Sequence, residues 1–287
     1  MILTNGCSFT AGSGNWPAAF SNYGYTFYNH FEPNGKYDII NIAAGGAGNT
    51  LIRRKTYHAL HGPKYKNNID YAIIQWSTID RWDYPVFVSE DRASGFPRMD
   101  AHPERINKIN YMHNGTDTEG YAKTFYEKYY SIHGAVIDTL ENIYHTQLYL
   151  KEMNIPYKMI TIGNLFSMDA SISKLIELQD GNERGNYSNL KINNILEQLE
   201  DYEDSFYEIN IIKELLEKID FNNFLFTDNN IIGGFGGGII EWLTNNNESM
   251  RNYGYHPSLR QSTRFFDEFL WPKIKDEVTT YYTKINK

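Results

Sequence analysis

The chain opens Met1-Ile2-Leu3-Thr4-Asn5-Gly6-Cys7-Ser8-Phe9-Thr10, and the reading of this stretch decides the fold. Ile2–Asn5 is a short apolar run bounded by a turn residue, the pattern of a buried parallel strand. Gly6 lets the backbone leave that strand abruptly. The Ser8 hydroxyl then projects at the edge of the sheet, beside backbone N–H groups that can hold an oxyanion. Most Gly-x-Ser tripeptides are plain turns; the place of this one, directly after a first strand, gives it weight. The N-terminus has neither a basic segment nor a long apolar core, so no signal peptide is expected.

Outward from this opening, four more strands are expected at Tyr37–Ile42, Tyr71–Trp76, Tyr157–Ile162 and Asn223–Phe226. Helical stretches separate them. Thr50–Leu60 follows the second strand and Tyr121–Met153 precedes the fourth. Leu190–Ile219 has apolar residues at mixed three- and four-residue spacings, and a last helix is expected at Ser258–Leu270. Strands alternating with helices give an α/β fold with an open, mostly parallel sheet. Its functional site is expected beyond the carboxyl ends of the strands. Pro85–Gly120, polar and irregular, and Ser167–Ile219, rich in Asn and Glu, read as insertions near 85–120 and 167–219. With no internal repeat and no clear linker, residues 1–287 form a single domain.

Composition narrows the function. The chain has 287 residues, 41% of them hydrophobic, enough for one large core with insertions. No run reaches the ~18 uncharged apolar residues of a membrane helix, so no membrane span is expected. A single cysteine, Cys7, leaves no internal disulfide and suits a reducing compartment. A net charge of −8 argues against a general phosphate-backbone binder, and no nucleic-acid partner is expected. Arg53-Arg54-Lys55 is a short basic cluster that reads as a solvated helix face. The 23 tyrosines and 5 tryptophans mildly favour a carbohydrate ligand, because aromatic rings stack on sugars as well as filling cores.

The segments after the strands carry the chemistry. The second strand runs into Asn41-Ile42-Ala43-Ala44-Gly45-Gly46-Ala47-Gly48-Asn49-Thr50, whose small residues permit close approach to a ligand or simply a tight strand-to-helix turn. Its spacing fits neither a dinucleotide nor a phosphate loop. The third runs into Gln75-Trp76-Ser77-Thr78-Ile79-Asp80-Arg81-Trp82-Asp83, either the rim of a site or a surface ion-pair group. Near the C-terminus Tyr253-Gly254-Tyr255-His256-Pro257-Ser258 places a histidine at the turn into the last helix, where it can reach a serine on an adjacent strand; seven other histidines compete with it. Gly233-Gly234-Phe235-Gly236-Gly237-Gly238 reads as a mobile flap on the rim, with Phe235 covering an apolar group, or as a plain flexible connection.

Together these blocks resemble the SGNH (GDSL-like) hydrolase family. Members carry a Gly-Asp-Ser-like block at the first strand, a glycine block after the second, an asparagine block after the third and Asp-x-x-His near the end. The nearest resemblance is to phage and bacterial members with a Gly-Cys-Ser-Phe opening and an arginine in the third block. The resemblance implies a three-layer α/β/α sandwich around a mostly parallel, five-stranded, flavodoxin-like sheet. Three positions depart from the pattern: Cys7 stands where Asp is usual, the third block has no asparagine, and Tyr253 stands where the third triad member belongs.

The activity implied is hydrolysis of acyl esters by a serine hydrolase working through a Ser–His dyad or triad. Ser8 is the nucleophile and His256 its base. The backbone N–H groups of Ser8 and Gly48 hold the oxyanion, with Asn49 or Ser77 as the side-chain donor in place of the missing asparagine. The substrate expected is a small-molecule or carbohydrate acyl ester, an O-acetylated carbohydrate being the favoured case. No cofactor is expected, and no metal, since no Cys/His cluster has ligand spacing. The location expected is cytoplasmic or virion-associated. Acyl transfer to an alcohol acceptor is a second reading, and a catalytically degenerate SGNH fold serving as a binding or structural module is a third.

Overall fold

In the computed structural model, which describes residues 1–11, 38–65, 67–79, 81–85, 109–112, 128–165, 206–228, 235–248 and 257–285, the apolar opening forms strand β1 (Ile2–Asn5), buried at every position. A short helix α1 (Ser8–Ala11) follows, then β2 (Ile39–Asn41), α2 (Asn49–His61) and β3 (Tyr71–Trp76). Next come β4 (Trp82–Pro85), β5 (Ile109–Met112), α3 (Ile132–Glu152) and β6 (Tyr157–Thr161). The C-terminal part holds α4 (Phe206–Lys218), α5 (Ile239–Asn245), α6 (Leu259–Arg264), a π-helical segment (Phe265–Leu270) and α7 (Trp271–Ile285).

The class is α/β with a parallel sheet. Its order is β2-β1-β3-β6, with Ile2 opposite both Ile39 and Tyr71, and Ala72 opposite Tyr157. All six residues of β3 are buried, as an interior strand covered on both faces requires. Neighbours in register point to the same face, so Ile2 and Tyr71 share one face while Asn5 looks to the other. Asn5 Nδ2 donates to Ile52 O at 2.7 Å and to Thr56 Oγ1 at 2.8 Å, both on α2. Tyr71 donates its hydroxyl to Glu277 Oε2 on α7 at 2.9 Å. Helices therefore cover the sheet from both sides.

The expected fifth strand is reduced. Phe224 makes only an isolated parallel bridge to Met159, with Leu225 N donating to Met159 O at 2.9 Å. The residues before it are spent on a 3-10 turn (Phe221–Asn223), because Asp220 accepts from Asn222 N at 3.1 Å and from Asn223 Nδ2 at 2.9 Å. Of the stretch 85–120, Pro85 and Ile109–Met112 are described, and both belong to strands. Ile109–Met112 pairs antiparallel with Trp82–Pro85, so this insertion leaves and re-enters the fold through a two-stranded ribbon. Of the insertion near 167–219, only its end, within α4, lies among the described residues.

The last helix runs well beyond Leu270. Pro272 lacks an N–H and cannot complete an ordinary helical turn. The chain widens into the π segment just before it, with Trp271 N–H reaching back to Phe266 O. Phe265, Phe266, Phe269 and Leu270 of that segment are buried, so the wide turn also inserts apolar side chains into the core. No helix among the described residues is long and apolar enough to cross a membrane.

Candidate active site

The direction of the sheet reverses at β1. The chain goes from β1 to β2 on one side and then to β3 on the other, and open α/β sheets carry their sites beyond the strand ends at such a reversal. The register ends at Asn5–Ile74, and Gly6 lies beside Gln75 just past it. Ser8, the first residue of α1, and Ser77, the residue after β3, both follow the carboxyl ends of neighbouring strands. Gly6 is there for closeness, since a Cβ on it would lie 2.9 Å from Gln75 Cβ. Ser8 begins α1, a single turn closed by Ala11 N donating to Cys7 O at 2.9 Å. The serine is 5% exposed.

Polar atoms without partners gather at the same end of the sheet. Gln75 Oε1 accepts from Thr10 Oγ1 and lies 3.9 Å from Cys7 Sγ, but Gln75 Nε2 is buried without a hydrogen bond. Ser77 Oγ and Thr161 Oγ1, at the ends of β3 and β6, are likewise buried and unbonded. Buried orphans are costly and mark places where a ligand or water completes the set. Cys7, next to Ser8 in the chain, is fully buried.

The glycine block after β2 plays a different part from the one its composition suggests. Gly48 N donates to Asp83 Oδ1 at 2.9 Å and Leu51 N donates to Asp83 Oδ2 at 2.7 Å. Gly48 has no side chain to cap α2, and Asp83, from the segment after β3, does so in its place. A Cβ on Gly48 would meet Asp83 Oδ2 at 2.8 Å and Arg81 O at 2.6 Å. The Gly48 N–H is therefore committed to a carboxylate and does not face an oxyanion. Asp83 is buried, not a surface charge; burial pushes its pKa up, while the two backbone donors and Arg54 and Arg81 pull it down.

Asn49, expected as an oxyanion donor, is also internally satisfied. Its Nδ2 donates to Thr139 Oγ1 at 3.1 Å and to Ser77 O at 3.3 Å, and its Oδ1 accepts from Ser77 N at 2.8 Å. It clamps the backbone of Ser77 from both sides, a positioning role. This pairing of blocks was missed from sequence because nothing in a single chain links Gly48 to Asp83 or Asn49 to Ser77. The absent side chain at the start of a long helix was the available signal.

No family model matches the chain, and no curated protein matches it.

His256, Tyr253 and Asp80 lie outside the described residues. The chain is anchored on both sides of 249–256. Ser258 caps α6, its Oγ accepting from Gln261 N at 3.3 Å while Gln261 Oε1 accepts from Ser258 N at 2.8 Å. Gln261 Nε2 donates to Glu248 Oε2 at 3.3 Å, and Arg264 pairs with Glu248 at 2.6 Å. Phe265 packs edge-on against Trp242 of α5 at 5.5 Å. Helix α5 in turn starts at the carboxyl end of β6, where Ile240 N donates to Ile162 O at 2.8 Å.

The glycine run is not a flap where it is described. Phe235 is fully buried, edge-on to Phe221 at 5.1 Å and to Phe224 at 5.3 Å. The glycines after it serve close packing: a Cβ on Gly236 would meet Phe226 Cβ at 2.7 Å, and one on Gly237 would meet Asp228 Oδ2 at 2.6 Å. Gly233 and Gly234 lie outside the described residues. Beyond the run, Glu241 accepts from Asn164 N at 2.9 Å and from Gly238 N at 2.8 Å; burial pushes its pKa up.

Proposed function

We propose that the chain is a serine hydrolase of the SGNH kind that cleaves acyl esters, built on a three-layer α/β/α fold with a flavodoxin-like sheet. The observation that carries this reading is the position of Ser8, just beyond the carboxyl end of β1 where the strand order reverses. Ser8 Oγ attacks the ester carbonyl as His256 takes its proton. The oxyanion is held by the Ser8 N–H and by Ser77 Oγ, the latter fixed in place by Asn49. His256 then protonates the leaving alcohol, and water, deprotonated by His256, releases the acyl group. Each oxyanion donor contributes about 3–4 kcal/mol to the transition state. An O-acetylated carbohydrate is the substrate class favoured by the aromatic content.

Labelling with a fluorophosphonate probe, with the adduct mapped by mass spectrometry, tests the reading. Modification of Ser8 supports it. A folded chain that stays unlabelled sinks it and favours a binding or structural module, the reading supported by the near-complete burial of Ser8. Product analysis with and without an alcohol acceptor then separates hydrolysis from acyl transfer.

A further inference from the structure

A cavity of about 250 Å³ opens between α2, α3 and the segment after β3, and neither Ser8 nor Ser77 lines it. Its walls differ in chemistry. Arg53 and Arg54 of α2 and Arg81 of the third block supply guanidinium groups; α3 supplies Asp138, Glu141 and the amide of Asn142. Guanidiniums this near carboxylates commonly pair, yet among the described residues none of these three arginines is in an ion pair. Arg53 Nη1 lies 3.2 Å from His145 Nδ1, and Arg81 Nη1 donates to Ala47 O at 3.5 Å. Asp83 also borders the cavity, but both its oxygens are taken by backbone N–H groups. The basic cluster at 53–55 is therefore not simply a solvated face: two of its members join Arg81 around one hollow.

We propose that this cavity binds a small polyhydroxylated anion, a sugar phosphate or a sugar acid. The anionic group meets Arg53, Arg54 and Arg81, and the hydroxyls meet Asp138, Glu141 and Asn142. Planar guanidiniums match phosphate and carboxylate oxygens in a two-point fork, while carboxylates and amides accept hydroxyl protons at fixed angles. Arg53 acts on Asp138, and Arg54 and Arg81 act on Asp83, without a direct ion pair, which leaves guanidinium N–H groups open to a bound anion. A chain of net charge −8 disfavours polyanions at large, so a small ligand suits the site better than a polymer.

Isothermal titration calorimetry on the full chain at low ionic strength, with glucose 6-phosphate, glucuronate, glucose and inorganic phosphate as probes, tests this. At least one of the two sugar anions is expected to bind about tenfold or more tightly than either glucose or phosphate, and the better of the two identifies the anionic group. Arg54 is exposed, so Arg54→Gln should fold normally by circular dichroism and weaken that binding about tenfold. Ser8→Ala should leave it intact, which keeps this site separate from the ester-cleaving one. Four results overturn the proposal: no heat with any probe, glucose or phosphate binding as tightly as the sugar anions, wild-type affinity in Arg54→Gln, or loss of binding in Ser8→Ala.

Discussion

Ser8 and Cys7 are neighbours and both are buried, but Ser8 keeps 5% of its surface exposed while Cys7 keeps none. The thiol is the better nucleophile near neutral pH when it is exposed and ionised, but Cys7 is fully buried with its sulfur toward Gln75. Ser8→Ala is expected to lower esterase turnover by ~10³ or more, with Cys7→Ala retaining most of it. The reverse pattern in steady-state kinetics would give the role to the thiol. Asp83 is the residue whose part was least legible. In sequence it stood among Asp80 and Arg81 as a rim or surface charge, because its partners, Gly48 and Leu51, lie more than thirty positions earlier in the chain. Asp83→Ala leaves two helix-terminal N–H groups without their acceptor and should cost about 2 kcal/mol in urea unfolding. Asp83→Asn should fall between, since its amide accepts from only one of the two. A wild-type midpoint in Asp83→Ala would mean that water replaces the carboxylate without loss.

At the scale of elements, β1, β3 and β6 were readable because each is an apolar run with little else to be. The fifth strand was not, because Asp220 captures the amide groups of Asn222 and Asn223 and turns the chain just before Phe224. The ribbon partner Ile109–Met112 was hidden inside a polar stretch, and only its pairing with Trp82–Pro85 gives it a role. The glycine run misled for a physical reason: glycine supplies flexibility in a linker and close approach in a core, and composition does not distinguish the two. Phe235 separates them. With its ring buried among Phe221, Phe224 and Phe226, Phe235→Ala is expected to destabilise the chain by about 3–5 kcal/mol, read from its thermal or urea midpoint. A variant of unaltered stability with changed acyl-chain preference would restore the flap.

At the scale of the molecule, two buried carboxylates set part of the response to pH. Asp83 and Glu241 both have pKa values raised by desolvation. A raised folded pKa means the native state holds the proton more tightly than the unfolded chain. The stability these groups contribute is thus full below their ordinary range of ~4 and lost as pH rises through the folded value. Glu241→Gln removes one titration, so its deficit relative to wild type should shrink as melting is measured from about pH 4 toward pH 7. A deficit that grows over that interval would show that the ionised carboxylate is the favoured form. The cap on α2 also bears on the order in which the chain can assemble. Its first turn is completed by a side chain that leaves a ribosome only after β3 has been made, so this helix cannot be finished by the segment that encodes it. In hydrogen exchange the amides of Gly48 and Leu51 should then behave as members of the 81–83 segment, opening when that segment lifts rather than when the end of the helix frays.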